Sequence, residues 1–266
     1  WIVAFKDLSL GVKIFESNWV GFENFIRMFS DQEIKKVLIN TIQISLLRLG
    51  FGFFPPIILA IMFHDMKTKY FKIVTQNIVY IPYFFSWVIV YGVAYAFLSE
   101  GHGFLNALIS DLGFKRIDFF MNPKFFRPLI ILSSLWKEVG WGTIIYLAAL
   151  SNVDPELYEA AMIDGAGPIR RIRNITIPSI LPVVVFVLCI SLGGLFYAGG
   201  EQILLFYNAG VIDVADIIDT WIYRVGISSF QFGLATAVGL FQSFFGMIMV
   251  LTSNYLAKKY TGNGIW

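Results

Sequence analysis

Cysteine is nearly absent: Cys189 is the single thiol in 266 residues, so no disulfide can close within the chain and its compartment cannot be read from redox chemistry. Histidine is almost as scarce. His64 and His102 stand far apart, with no second ligand at metal spacing; both are read as loop histidines, and no metal site is expected. There is no His-Glu-x-x-His pattern and no nucleophile beside a base, which removes the usual grounds for an intramembrane enzyme. Nowhere does a glycine-rich loop end in Gly-Lys-Ser or Gly-Lys-Thr, so the chain has no phosphate cradle of its own for ATP. Charge is thin as well. Only 14% of residues are charged, against about 25% in an ordinary soluble domain. The 20 basic and 18 acidic residues leave a net +2, without a basic block that would bind nucleic acid.

Apolar residues fill the space. They make up 57% of the chain, and the mean hydropathy is +0.71, the composition of an integral membrane protein. A spanning helix needs about 20 mostly apolar residues, because the bilayer core offers no water to the backbone. The stretches 38–63, 73–98, 128–150, 178–200 and 230–257 meet that length. Long runs without alternation exclude a β-barrel, so the expected fold is all-α, a polytopic transmembrane helical bundle. Residues 1–37 form an outer or interfacial segment in which 30–36 is an amphipathic helix leading into the first span, and 38–266 form one membrane domain. Short helices are expected near 104–112 and 213–222, and kinks at Pro55-Pro56 and Pro82. Lys and Arg do not settle the orientation. Lys67, Lys69, Lys72, Arg170, Arg171, Arg173, Lys258 and Lys259 share one side, but Lys6, Lys13, Arg27, Lys35 and Lys36 weigh against them on the other.

A polar island at 151–178 interrupts the apolar runs. Asp154-Pro155-Glu156 is a helix start, with Asp as N-cap, Pro in the first position and an acid at the positive end of the dipole. Leu157, Ala160, Ala161 and Asp164 then share a face whose small centre admits close approach of another surface. Gly165 and Gly167 stop this helix. Pro168 starts a second short one that ends before Thr176-Ile177-Pro178, giving either a protruding knob or a helix pair lying on lipid.

The order Glu159-Ala160-Ala161, three residues, Gly165, nine residues, Ile175-Thr176-Ile177-Pro178 resembles the EAA loop of permease subunits in binding-protein-dependent ABC importers, with Ile177 in place of the more usual Leu. The likeness extends to Trp19-Val20-Gly21-Phe22-Glu23-Asn24-Phe25 and Asp154-Pro155-Glu156-Leu157-Tyr158. Trp136-Lys137-Glu138-Val139-Gly140-Trp141-Gly142 and Gly199-Gly200-Glu201-Gln202 resemble the carbohydrate branch that takes polysaccharides or complex oligosaccharides, with alginate importers the specific expectation. The resemblance implies the MetI-like permease fold, a first transmembrane helix missing or truncated ahead of residue 1, a multi-pass place in the bacterial cytoplasmic (inner) membrane, and a cytoplasmic loop at 151–178. Implied partners are a second permease, two ATPase subunits that bind ATP and Mg, an extracytoplasmic solute-binding protein, lipid and a carbohydrate; this chain would hold no cofactor and catalyse nothing. Glu159, Ala160, Ala161, Asp164, Gly165 and Ala166 carry over as the coupling set that docks on an ATPase, flanked by Arg170, Arg171 and Arg173.

The sugar path is read from chemistry. Ionisable and amide groups within spans face the bundle interior, which points to Arg48, Lys137, Glu138 and Gln242. Trp87, Tyr91, Trp136, Trp141, Tyr146 and Tyr197 offer flat faces to sugar C–H groups or else form the aromatic belt. Glu201 and Gln202, just past a span, meet the binding protein or mark a wet helix end. An ion-gradient-driven secondary transporter is the alternative, and it leaves the island without a purpose.

Overall fold

Helix is the economical way to satisfy backbone groups in so apolar a chain, and the computed structural model is helical nearly throughout. It describes residues 1–8, 10–262 and 264–265, with Tyr260 and Thr261 described through their backbone only. The expected bounds 1–37 and 38–266 therefore include Ser9, Asn263 and Trp266, which lie outside the described residues. A 3-10 turn at Ile2–Phe5 leads into β1 (Lys6–Asp7), which pairs antiparallel with β2 (Asn18–Trp19), Lys6 opposite Trp19. The Lys6 ammonium turns inward onto the carbonyls of Ile14 at 2.7 Å and Ser17 at 3.0 Å, closing the hairpin.

The helices follow in order: α1 (Glu23–Ser30), α2 (Gln32–Asp65), α3 (Lys69–Tyr80) with a 3-10 extension Ile81–Phe84, α4 (Trp87–Leu98), α5 (Phe104–Asp111), α6 (Pro123–Leu150) and α7 (Pro155–Ile163). Next come α8 (Pro168–Arg171), a π turn at Ile172–Thr176, α9 (Ile177–Gly193) with a 3-10 turn at Gly194–Phe196, and α10 (Gly200–Phe206). The last are α11 (Ile212–Ala215), α12 (Ile218–Ile222), a second π turn at Tyr223–Ser228, and α13 (Phe232–Thr261). Among the described residues, Gln32–Asp65, Pro168–Phe196 and Phe232–Lys259 are long and apolar enough to cross a membrane, and a fourth span is present if Lys69–Phe84 and Trp87–Leu98 count as one.

Several expectations need correction. The stretch 73–98 is not one helix: Pro82, without an N–H, sits in the 3-10 turn, and Phe85 and Ser86 are extended before α4. Pro55 and Pro56, in contrast, lie within an unbroken α2. The 28 residues of α6 are long enough to span, but Lys137 and Glu138 interrupt its apolar run and it is not among the spans just named. Residues 32–36 are the first turn of α2, and the amphipathic helix of this region is α1, ending at Ser30. His64 lies in the last turn of α2, not in a loop.

Two compact units divide the chain. The first comprises Trp1–Leu47, Ser86–Ser133 and Gly193–Val250. One of its cores joins Ile44, Phe126, Ile130, Ile203, Phe206 and Ile217; another joins Met28, Ile34, Val37, Trp221 and Val238. The second comprises Arg48–Phe85, Ser134–Leu192 and Leu251–Trp266, with a core around Ala60, Tyr146, Leu150 and Ile180.

Candidate functional site

The island at 151–178 is built in the second unit by a sharply defined start and stop. The Asp154 carboxylate accepts the Glu156 N–H at 2.9 Å, and Pro155 takes the position where a missing N–H costs nothing. At the other end the Ala166 N–H reaches the Ala161 carbonyl at 2.8 Å and the Gly165 N–H the Met162 carbonyl at 3.1 Å. That closure needs a left-handed residue, and Gly165 supplies it at φ +75°. No residue of α7 is buried, and Ile163 is 87% exposed beside the exposed Leu157 and Met162. The Tyr158 hydroxyl lies 3.1 Å from Thr176 Oγ1, and its ring is 5.6 Å from that of His64, which ties the helix back to the ends of α2 and the π turn. Glu159, Ala160, Asp164, Gly165, Arg170 and Arg173 are exposed; Ala161, Ala166 and Arg171 are half-buried. Arg170 and Arg173, with Pro168 and the 82% exposed Ile169, border an open cleft of about 630 Å³.

The second short helix is a correction. α8, the π turn and α9 form one helical run, Pro168–Phe196, so no break separates the arginines from the span. The extra residue of the π turn absorbs Pro178, the second residue of α9, without interrupting the helix.

Polar groups within the spans are largely committed to internal partners. In the second unit Arg48 meets Glu138 at 3.3 Å, and the 9% exposed Lys137 donates to the carbonyls of Tyr83 at 2.6 Å and Phe85 at 2.7 Å. Trp141 stacks on Tyr83 with centroids 4.5 Å apart, and Trp136 lies 6.2 Å from Phe85; both indoles keep exposed faces. Tyr146 is buried in the core of that unit. In the first unit Trp87 is buried, and Tyr91 meets Phe206 and Phe120 edge-on. The Gln242 amide donates to the Phe196 carbonyl at 2.7 Å and to Asp219 at 3.0 Å. Tyr197 is half exposed, its hydroxyl 3.4 Å from Ser243. Of the pair Glu201 and Gln202, only Glu201 is exposed; Gln202 is fully buried and donates to the Ile130 carbonyl and the Ser133 hydroxyl, so its side chain is not at a surface.

One cluster had no signal in the sequence. Arg224 donates to Glu33 at 2.8 Å and to Asp216, whose other oxygen accepts from Thr220 at 2.7 Å. Burial pushes the Asp216 carboxyl above its ordinary range, against the pull of Thr220 and Arg224. At Arg224 burial works against the charge, but the bond to Glu33 and the Asp216 charge outweigh it and raise the guanidinium. Burial likewise raises Asp219, opposed by its bonds from Gln242 and the Gly200 backbone. Among the described residues no group of three or more His, Cys, Asp or Glu could hold a metal ion.

The family of binding-protein-dependent transport system inner membrane components matches residues 44–262, which include the whole island. The chain belongs to this family. It is therefore an inner-membrane transport permease subunit, the membrane part of an ATP-driven sugar importer, and the ion-gradient-driven alternative is set aside. Among its relatives, the polygalacturonan/rhamnogalacturonan transport system permease protein YteP of Bacillus subtilis (strain 168) is 42% identical over all of this chain and 83% of its own length. Protein LplB of the same organism is 40% identical over the same shares. The solved bacterial alginate ABC transporter, in complex with alginate pentasaccharide-bound periplasmic protein, has a chain 38% identical with a TM-score of 0.89, matching 92% of this chain and 85% of that one.

Proposed function

We propose that this permease carries an acidic oligosaccharide or polysaccharide and is driven through the island at 151–178 by an ATPase docked on α7. The observation that carries the reading is a helix with no buried residue, its apolar Leu157, Met162 and Ile163 facing outward and its end set by Gly165. Exposed apolar side chains around small ones suit a groove of a partner protein. Glu159, Ala160, Ala161, Asp164, Gly165 and Ala166 form the docking set, and Arg170, Arg171 and Arg173 flank it. A second permease completes the pathway, two ATPase subunits hold ATP and Mg, and an extracytoplasmic binding protein delivers the sugar. This chain holds no cofactor and is not a catalyst, in keeping with the absence of a Gly-Lys-Ser or Gly-Lys-Thr loop. The substrate class rests on the two relatives named for pectic polymers and alginate, both polymers of carboxylate-bearing sugars.

For the path we retain the groups with exposed faces: Trp136, Glu138 and Trp141 in the second unit, Tyr197 in the first. Glu201 remains as a contact for the binding protein. The docking reading is tested by crosslinking from Ala160→Cys, in a Cys189→Ser background, to co-expressed ATPase subunits. An ATP-sensitive adduct is expected. Absence of any adduct in an importer that still transports would overturn the role of α7.

A further inference from the structure

Irregular backbone inside a helical membrane protein must find partners for the groups that a helix would have satisfied, because lipid offers none. The interruption between α3 and α4 poses this problem in the second unit. Pro82 brings no N–H, the 3-10 turn stops at Phe84, and Phe85 is extended. Its carbonyls do not go unpaired: Lys137, near the middle of α6, places Nζ 2.6 Å from the Tyr83 oxygen and 2.7 Å from that of Phe85, and 5.2 Å from the centre of the Tyr83 ring. The desolvated ammonium and the broken backbone solve one another's difficulty.

The residues around Lys137 are shaped to the same end. Gly140, one turn on, lets α6 lie directly against α3: a Cβ there would fall 2.2 Å from the Val79 oxygen and 3.0 Å from the Tyr80 Cα. Trp141 stacks flat on Tyr83, with 6° between the rings, and Trp136 covers Phe85. Glu138, adjacent in sequence and so on another face of the helix, turns to Arg48 of α2 instead. We infer that Lys137 is a positioning residue: it clamps the break at 81–86, and the rate of transport depends on that clamp and not on any contact between Lys137 and sugar. Broken helices are where alternating-access proteins change shape, so a break fixed from a neighbouring helix moves with that helix as one body. The same use occupies the ammonium, which leaves it no charge to offer a sugar carboxylate.

The inference rests on the family assignment and is independent of the docking role of α7. It is tested in the intact importer, with its partner subunits and binding protein, in proteoliposomes. Lys137→Met should lower the maximal transport rate about tenfold or more without changing the concentration of loaded binding protein at half-maximal rate, and it should speed amide exchange of residues 79–86 selectively. Lys137→Arg, which keeps a cation with several donors, should restore most of both. A full maximal rate in Lys137→Met, or an effect confined to sugar affinity, would overturn the clamp. If Lys137→Met does not assemble, an assembled Lys137→Arg with wild-type exchange at 79–86 but lost transport would overturn it equally.

Discussion

Arg224 holds two carboxylates, Glu33 and Asp216, and one of them is only 7% exposed. Burying a charge is tolerated because the opposite charge comes with it, and taking one away leaves the other stranded. Arg224→Met should therefore destabilise the first unit by about 2 kcal/mol, less than the ~3–5 of a fully buried pair because a third of the Arg224 side chain is exposed. The pH dependence has a definite sign. A carboxyl held above its unfolded value costs stability when it ionises, so the penalty enters as pH rises through the folded value and is absent below the unfolded one. Without Arg224 that penalty grows, and the deficit of the variant should be largest near neutral pH and shrink toward about pH 4. Thermal unfolding in detergent at both pH values measures it; an equal deficit at each would show that packing, not charge, is what Arg224 supplies.

α7 owes its independence to its two ends. The Asp154 cap and Pro155 start it without help from the rest of the fold, and Gly165 turns the chain at a φ where a side chain costs about 1–2 kcal/mol. Gly167 has ordinary backbone and open space around it, so it serves as a control. Gly165→Val should weaken the end of α7 and reduce the transport obtained per ATP hydrolysed several-fold, while sugar capture by the binding protein is unaffected; Gly167→Ala should do neither. Parallel assays of ATP hydrolysis and uptake separate the two, and tight coupling in Gly165→Val would detach the turn from energy transfer. Both ends were legible in the sequence because caps and glycine stops are written within a few residues. The π turn at Ile172–Thr176 was not. Nothing local marks an extra residue in a helix, and the pattern around Pro178 suggested a break where the chain runs on.

For the protein as a transporter, the carboxylate-bearing polymers named for its relatives lead to a competition experiment. Uptake of a labelled uronate oligosaccharide by the complete importer should be suppressed by unlabelled uronate oligomers and be little affected by neutral ones of equal length. Equal suppression by both would remove the acidic class from the proposal. Membrane residence, helical class and the coupling loop could all be read from the chain alone, since each resides in composition or in spacing over fewer than about thirty residues. Which polar side chains remain free could not. Gln202 reaches Ile130 across 72 residues of chain, Arg48 meets Glu138 across 90, and Arg224 meets Glu33 across 191. A buried amide or ammonium takes whatever acceptor the packing brings to it, so tertiary structure alone spent Gln202, Gln242 and Lys137 on backbone carbonyls and left α7 exposed.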